Sequence, residues 1–250
     1  MMRRLTFYVI ILIAFMASGS FQSAMGQNKL TLDPGGDIVS RYVWRGADFG
    51  NSPAIQPSME LGYAGLALGA WGSFSTNNAN FQEVDLYLSY TFANDMFSVM
   101  VTDYFFPNDT IANNKYFDYN TNSTGHVFEG TLKFNGTDKI PVSLMIATNF
   151  AGADARKADN KLQYSTYIEL GYSTSIGNTS FDFFLGGTPT NPDGDKGETG
   201  YYGPYSGIVN IGLTAGREIQ ITEKFALPVN VSLITNPQQE NIFFVFGISL

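Results

Sequence analysis

A few charged side chains in this chain of 250 residues have spacings that would bring them to one site. Arg41 and Arg45 are four residues apart and Glu83 and Asp85 are two apart, so in extended strands each pair shares one face of a sheet. Opposed charges of this kind can form the constriction that makes a channel ion-selective. They can equally serve as a packing and register device. Because an unpaired buried charge is costly, we predict that Arg41 and Arg45 bridge Glu60, Glu83 and Asp85 across neighbouring strands.

Period-two alternation places further side chains on the same face as these charges. In the segment 82–92, Glu83, Asp85 and Tyr87 share one face and the alternate apolar residues share the other. We therefore predict that the charged face lines a polar interior, with Asp37 of the first strand also on that face. The candidate lining residues are Arg41, Arg45, Glu60, Trp71, Glu83, Asp85, Tyr87, Glu129, Lys133, Glu169 and Asp182.

The single histidine, His126, stands where a loop meets a strand, beside Asn122 and Ser123. A membrane-embedded phospholipase of twelve strands uses Ser, His and Asn, but its His and Ser occupy adjacent strand positions in a motif that is absent here. The sequence also contains no phosphate-binding loop, histidine-rich metal cluster or nucleophile elbow. We expect a solvated histidine and a protein that is not an enzyme.

The segment NPDGDKGE resembles the start of a calcium loop, with Asp193 and Asp195 at alternate positions. The twelfth position of such a loop carries no acid here, which favours a solvated loop. The chain contains no Cys, so disulfides and metal–thiolate sites are excluded. We expect no cofactor and no bound metal.

The composition indicates short-period alternation of apolar and polar residues. Charged residues are 14% of the chain, against roughly 25% in soluble domains, and aromatic residues are 15%. The mean hydropathy of −0.04 does not fit long apolar helices. The aromatic content excludes a disordered chain, and the net charge of −8 argues against a nucleic-acid partner.

The N-terminus has the features of an export signal. Arg3 and Arg4 precede the apolar segment 5–17, which is shorter than the roughly 20 residues that span a bilayer, and the small residues Ala24 and Gly26 follow. We predict a signal peptide over 1–26 and one domain over 27–250. The alternative is a membrane anchor, which the short apolar segment disfavours.

Alternation predicts an all-β protein of about twelve strands that closes into an antiparallel transmembrane β-barrel. Its connections alternate along the chain between long polar loops and short turns, as in outer-membrane barrels with short periplasmic turns and longer extracellular loops. The alternative fold is a soluble lipocalin-like barrel or a sandwich. The predicted strands are 36–45, 54–63, 66–75, 82–92, 96–105, 125–134, 140–150, 162–173, 179–188, 206–219, 225–235 and 241–250.

The last strand, NIFFVFGISL, places five large apolar residues on one face, and the chain ends at Leu250. It resembles the C-terminal strand that barrel-assembly machinery recognises, although Leu replaces the usual terminal Phe. Such an apolar edge would aggregate unless it were closed against the first strand. We expect outer-membrane lipid and the assembly machinery as partners, and the bacterial outer membrane as the location.

The first five strands contain four short motifs: Tyr42-Val43-Trp44-Arg45-Gly46, Pro53-Ala54-Ile55-Gln56-Pro57, Gly69-Ala70-Trp71-Gly72 and Glu83-Val84-Asp85-Leu86-Tyr87. In this order the motifs resemble the TorF-like family of conserved bacterial outer-membrane proteins. The resemblance implies an outer-membrane barrel that belongs with the porins, but no established substrate. It draws attention to Arg45, Trp71, Glu83 and Asp85.

The sequence thus favours a narrow porin or channel with a charged interior, which passes small polar solutes or ions. A second hypothesis is a closed barrel with a structural or partner-binding role, and occlusion by Arg41, Arg45, Trp71 and Tyr87 would favour it. A third is a membrane-embedded lipid-modifying enzyme that uses His126.

Overall fold

The computed structural model describes residues 29–77, 81–108, 114–121 and 123–250. The predicted signal peptide over 1–26 lies outside these residues. No helix in the described part of the chain is long and apolar enough to cross a membrane. The strands are Thr31–Val39 (β1), Tyr42–Trp44 (β2), Ala47–Phe49 (β3), Ala54–Tyr63 (β4), Leu66–Ser75 (β5), Gln82–Phe92 (β6), Phe97–Phe105 (β7), His126–Phe134 (β8), Val142–Gly152 (β9), Thr166–Ile176 (β10), Thr179–Thr188 (β11), Gly207–Thr222 (β12), Phe225–Asn236 (β13) and Asn241–Ser249 (β14).

Twelve of these strands form a closed antiparallel barrel, as the alternation predicts. Strands β4 to β14 pair in chain order, and β1 closes the barrel by pairing with both β4 and β14. Four strands have the predicted bounds: 54–63, 66–75, 82–92 and 179–188. The seam between β1 and β14 is short, with three register pairs from Asp37–Ser249 to Val39–Gly247.

The two faces of the barrel wall have opposite chemistry. The outward face exposes large apolar side chains, such as Ile55, Leu170 and Phe244. The face toward the enclosed space, the lumen, carries the polar and charged side chains of the same strands, such as Glu83 and Asp85 on β6. This arrangement is the reverse of a soluble barrel, because the apolar residues point away from the centre.

The first predicted strand, 36–45, is wrong at both ends. β1 begins at Thr31 and ends at Val39, and residues 40–53 then form a hairpin of β2 and β3 before β4 begins. At the hairpin tip, Arg45 has φ 48° and Gly46 has φ 79°, the two positive values that a tight two-residue turn requires. We call residues 40–53 the plug.

The two ends of the barrel differ, and we name its halves after them. The long-loop half carries the connections 40–53, 76–81, 106–125, 153–165, 189–206 and 237–240, and the short-turn half carries the brief turns such as Ala64-Gly65. The plug enters the lumen from the long-loop end. In that half the lumen-facing residues of the wall are mostly buried, whereas in the short-turn half several, including Asp33, Ser173 and Ser180, are exposed.

Candidate functional site

The plug contacts the wall on several sides of the lumen. The Tyr42 ring packs against Trp71 of β5, and the Trp44 ring packs against Tyr104 of β7, with centroid distances of 5.4 and 5.6 Å. Asn236 of β13 donates to the backbone oxygen of Gly46. A Cβ at Gly46 would lie 2.0 Å from the backbone oxygen of Val209 on β12, so only glycine fits at this position of the turn. The hairpin therefore fills the cross-section of the long-loop half.

A buried ion pair fastens the tip of the plug to the wall. Arg45 donates through two nitrogens to the two carboxylate oxygens of Glu129 on β8, at 2.5 and 2.9 Å. The side chains are 6% and 0% exposed. The hydroxyls of Tyr104 and Thr131 also donate to Glu129, at 3.1 and 3.2 Å. A bidentate pair with its remaining lone pairs satisfied is the arrangement that compensates two buried charges best.

Aromatic rings enclose the same guanidinium group. The Cζ atom of Arg45 lies 4.4 Å from the Trp44 ring centre and 4.6 Å from that of Tyr167. Arg45 also donates to the Tyr202 hydroxyl at 2.6 Å. Burial acts to lower the pKa of Arg45, but the Glu129 carboxylate and the tyrosines outweigh it, so the pKa stands well above its ordinary value. Burial raises the pKa of Tyr202 well above its ordinary value.

The predicted bridge from Arg41 and Arg45 to Glu60, Glu83 and Asp85 is wrong. Arg41 pairs instead with Asp48 inside the plug, at 2.6 Å. Both arginines had been assigned to a wall strand, but the chain leaves the wall at Ser40, so they project from the plug and reach different partners. Arg45 reaches Glu129, which the sequence had placed among the lining residues without a partner.

Glu83 and Asp85 are buried on the lumen face without a positive partner among the described residues. The Tyr42 hydroxyl of the plug donates to Glu83. One carboxylate oxygen of each acid has no hydrogen-bond partner within the described part of the chain. The wall beside the plug therefore buries acidic oxygens that no described positive group compensates.

The other predicted lining residues also face the lumen. Glu60 accepts a hydrogen bond from Tyr87 at 3.0 Å, and Glu169 accepts one from Tyr167 at 2.6 Å. Nearer the short-turn end, Lys133 interacts electrostatically with Glu169 and Asp182. Asp182 accepts a hydrogen bond from Ser173, whose side chain is exposed to the open part of the lumen. Whether these residues form a constriction stays a prediction.

Sequence reasoning assigned no residue of the loop 189–206 to the site. Tyr201 and Tyr202 of this loop fold inward against the plug, and the Tyr202 hydroxyl donates to Glu129 at 3.1 Å. The available signal was the length of the loop together with its paired tyrosines. Asp193 of the suggested calcium motif pairs with Lys196 at 2.5 Å.

His126 is fully buried, so the expectation of a solvated histidine is wrong. It lies on the outward side of the wall at the long-loop end, where the rings of Tyr116 and Tyr119 cover it. Its Nδ1 atom lies 2.6 Å from Asp103, and its Nε2 atom lies 2.6 Å from the backbone oxygen of Tyr116. The ring thus connects the wall strand β7 with the loop that covers it. The pair fixes the loop 114–121 against the barrel.

Within the described residues, no three His, Asp or Glu side chains are arranged to hold a metal ion.

Comparisons with known proteins identify a family but no activity. A family model described as "Bacterial protein of unknown function (Gcw_chp)" matches residues 23–185. This match covers more than half of the chain. No curated protein matches the sequence.

Proposed function

The chain belongs to the Gcw_chp family of bacterial proteins of unknown function, and we propose that it is an outer-membrane channel for small polar solutes or ions, with a preference for cations. In the state described here the plug closes the channel. The resemblance of its first five strands to the TorF-like porins supports this proposal.

The outward face supports a position in a membrane. Ile55, Leu170 and Phe244 are 52%, 48% and 75% exposed, and many similar side chains surround the barrel. Such a continuous apolar surface is unfavourable in water but suits a lipid environment. Near the short turns, the rings of Phe92, Phe97 and Phe134 stack in a row, with centroid distances of 5.9 and 5.4 Å. Aromatic rows of this kind suit the membrane interface. Export by the predicted signal peptide and insertion by the barrel-assembly machinery belong to the same proposal.

The observation that carries the channel proposal is an acidic lumen blocked by a removable segment. The plug comes from a single connection and is not a part of the wall. Its ends are neighbours, because Val39 and Ala54 are register partners in β1 and β4. Glu83 and Asp85 beside the plug, and Glu60 farther along the lumen face, have no arginine partner among the described residues. Acidic side chains along a narrow pathway favour cations over anions.

Removal of the plug tests the channel directly. Residues 40–53 can be replaced by a short Asn-Gly turn, since the strands that they connect already lie side by side. In planar bilayers we expect the plugless barrel to conduct steadily and to prefer cations, while the full chain opens rarely. Asp159→Ala, which removes an exposed loop ion pair, should leave the conductance of the full chain unchanged. A folded plugless barrel that does not conduct would rule out the channel.

The second candidate is a closed barrel that binds a partner or ligand without transport. It is favoured by the occlusion of the long-loop half, where Arg45 and Tyr87 are buried and Trp71 packs against the plug. Glu83→Gln together with Asp85→Asn separates the two candidates in the plugless barrel. A channel would lose part of its cation preference, as read from the reversal potential in a salt gradient. A closed barrel would show only a change in stability.

A further inference from the structure

A cavity of about 700 Å³ lies between the plug and the loop 189–206, at the long-loop end. Its floor is formed by Trp44, Arg45 and Tyr202, the residues that fasten the plug. Its walls are largely aromatic and include Phe49, Phe81, Phe106 and Tyr201. The size lies within the range of about 300–1,000 Å³ that is usual for small-molecule sites.

The loop that roofs this cavity is held in place by specific hydrogen bonds. Glu198 accepts from the backbone nitrogens of Ala158 and Asp193, at 2.8 and 2.9 Å. Gln163 donates to the backbone oxygen of Thr199, and Gln238 donates to that of Tyr205, both at 3.0 Å. Because the polar groups of the loop are bound to neighbouring segments, the cavity is preformed and need not be organised by a ligand.

The chemistry of the lining selects the ligand class. Both carboxylate oxygens of Glu198 already accept hydrogen bonds, and the charge of Arg45 is compensated by Glu129. The cavity therefore offers no free charge to attract an ion. Aromatic side chains line its walls and floor, and such rings bind another ring by offset or edge-to-face contact, which adds to the gain from apolar burial. An uncharged ring compound matches both properties.

We propose that this cavity binds one small uncharged aromatic molecule, which rests on the residues that fasten the plug. The proposal goes beyond conduction, because the site is complete in the closed barrel and does not depend on the lumen being passable. A bound ring contacts Trp44 and Tyr202 and therefore stabilises the plugged state.

Two variants of one glycine test the site in the full chain in lipid nanodiscs. Gly194 lines the cavity, and a Cβ there would meet no atom within 4 Å, so Gly194→Trp adds a bulky ring at the cavity wall without a clash at Cβ, and Gly194→Ala is the matched small variant. The probe is biphenyl-4-methanol, and its fully saturated analogue is the matched control ligand. By calorimetry, with empty nanodiscs subtracted, we expect one saturable site. Its affinity should fall by about tenfold for the saturated analogue and for Gly194→Trp, but not for Gly194→Ala.

A second measurement locates the bound probe and does not depend on Gly194. The chain has only two tryptophans, and Trp71→Phe leaves Trp44 as the sole tryptophan, which excitation at a wavelength that tyrosine does not absorb reads selectively. Saturating probe should protect Trp44 from quenching by acrylamide, while the saturated analogue at the same concentration should not. Heat that only reflects partition into lipid, equal binding by Gly194→Trp, or unprotected Trp44 would each overturn the proposal. Conductance of the plugless barrel, in contrast, reports only on the channel.

Discussion

The long-loop half and the short-turn half of the barrel have the same kind of wall but opposite interiors. In the long-loop half, the plug brings an arginine to a buried glutamate. Rings of the plug, of β10 and of the loop 189–206 surround the pair. In the short-turn half, the polar side chains are small or partly exposed, and hydroxyl and carboxylate groups such as Ser173 and Asp182 pair locally. One half is packed like a protein core, whereas the other remains open.

The difference shows that charge performs two tasks in one lumen. Where Arg45 and Glu129 exclude water, the pair acts as a fastener whose removal is costly. Where Asp182 and Lys133 are only partly buried, water screens them, and they contribute to the electrostatic potential of the open lumen. Mutations in the long-loop half should therefore change mainly the unfolding free energy, whereas mutations of charges in the short-turn half should change mainly the electrostatic potential of the lumen.

The largest effect should come from Arg45→Ala. It leaves Glu129 buried without a cation, which costs about 3–5 kcal/mol of unfolding free energy. Urea unfolding in lipid vesicles, followed by tryptophan fluorescence, measures this loss. The same barrel should also conduct more often, because the tip of the plug is released.

The double variant Arg45→Met with Glu129→Met checks the cause of that loss. It removes both charges together and should recover much of the stability, since apolar side chains of similar length fill the space. If the double variant were less stable than Arg45→Ala, burial of an uncompensated carboxylate would not be the reason for the loss.

Alanine substitutions at two glycines, one in each half, compare the packing of the two halves. Their expected effects on the unfolding free energy are smaller than that of Arg45→Ala. A Cβ at Gly186 would lie 1.9 Å from the hydroxyl of Tyr167, whose fully buried ring packs on Arg45. Gly186→Ala must displace that ring and should cost about 1–3 kcal/mol. At Gly171 the nearest atom is the Ser143 hydroxyl, which can rotate into open lumen, so Gly171→Ala should cost clearly less. Urea unfolding of the two variants measures both, and equal losses would contradict the contrast between the halves.

The smallest effect is expected at the surface of the loop 189–206. Lys196 pairs with Asp193, but the two side chains are 66% and 38% exposed. Lys196→Ala should therefore leave the unfolding free energy unchanged within the error of the measurement, because water screens the exposed pair. A larger loss in the same assay would indicate that this pair holds the roof of the aromatic cavity.

The strands could be predicted because the barrel wall repeats one rule along the chain. Each wall strand alternates apolar and polar residues, and this pattern gave the bounds of 54–63, 66–75, 82–92 and 179–188 without error. The same alternation puts Glu60, Trp71 and Tyr87 on the polar face of these strands.

The plug was missed because its residues continue the alternation of β1. Tyr42 and Trp44 alternate with Val43 and Arg45 as in a wall strand, and only the backbone turn at Arg45 and Gly46 separates the two possibilities. The ion partner was missed for the same reason, because a bond across 84 residues depends on where the hairpin points. The buried pair of His126 and Asp103 likewise depends on a loop that folds over the outer wall.

The seam between β1 and β14 also holds the plug. Strands β4 to β14 each pair with a neighbour in chain order, but β1 takes its second neighbour from the far end of the strand order. At the base of the plug, the backbone nitrogen of Ser40 donates to the oxygen of Phe246, and the backbone nitrogen of Phe246 donates to the Ser40 hydroxyl, at 2.8 and 2.9 Å. The strand that completes the wall therefore also anchors the plug, so a truncation that removes β14 would leave both the wall open and the base of the plug unattached.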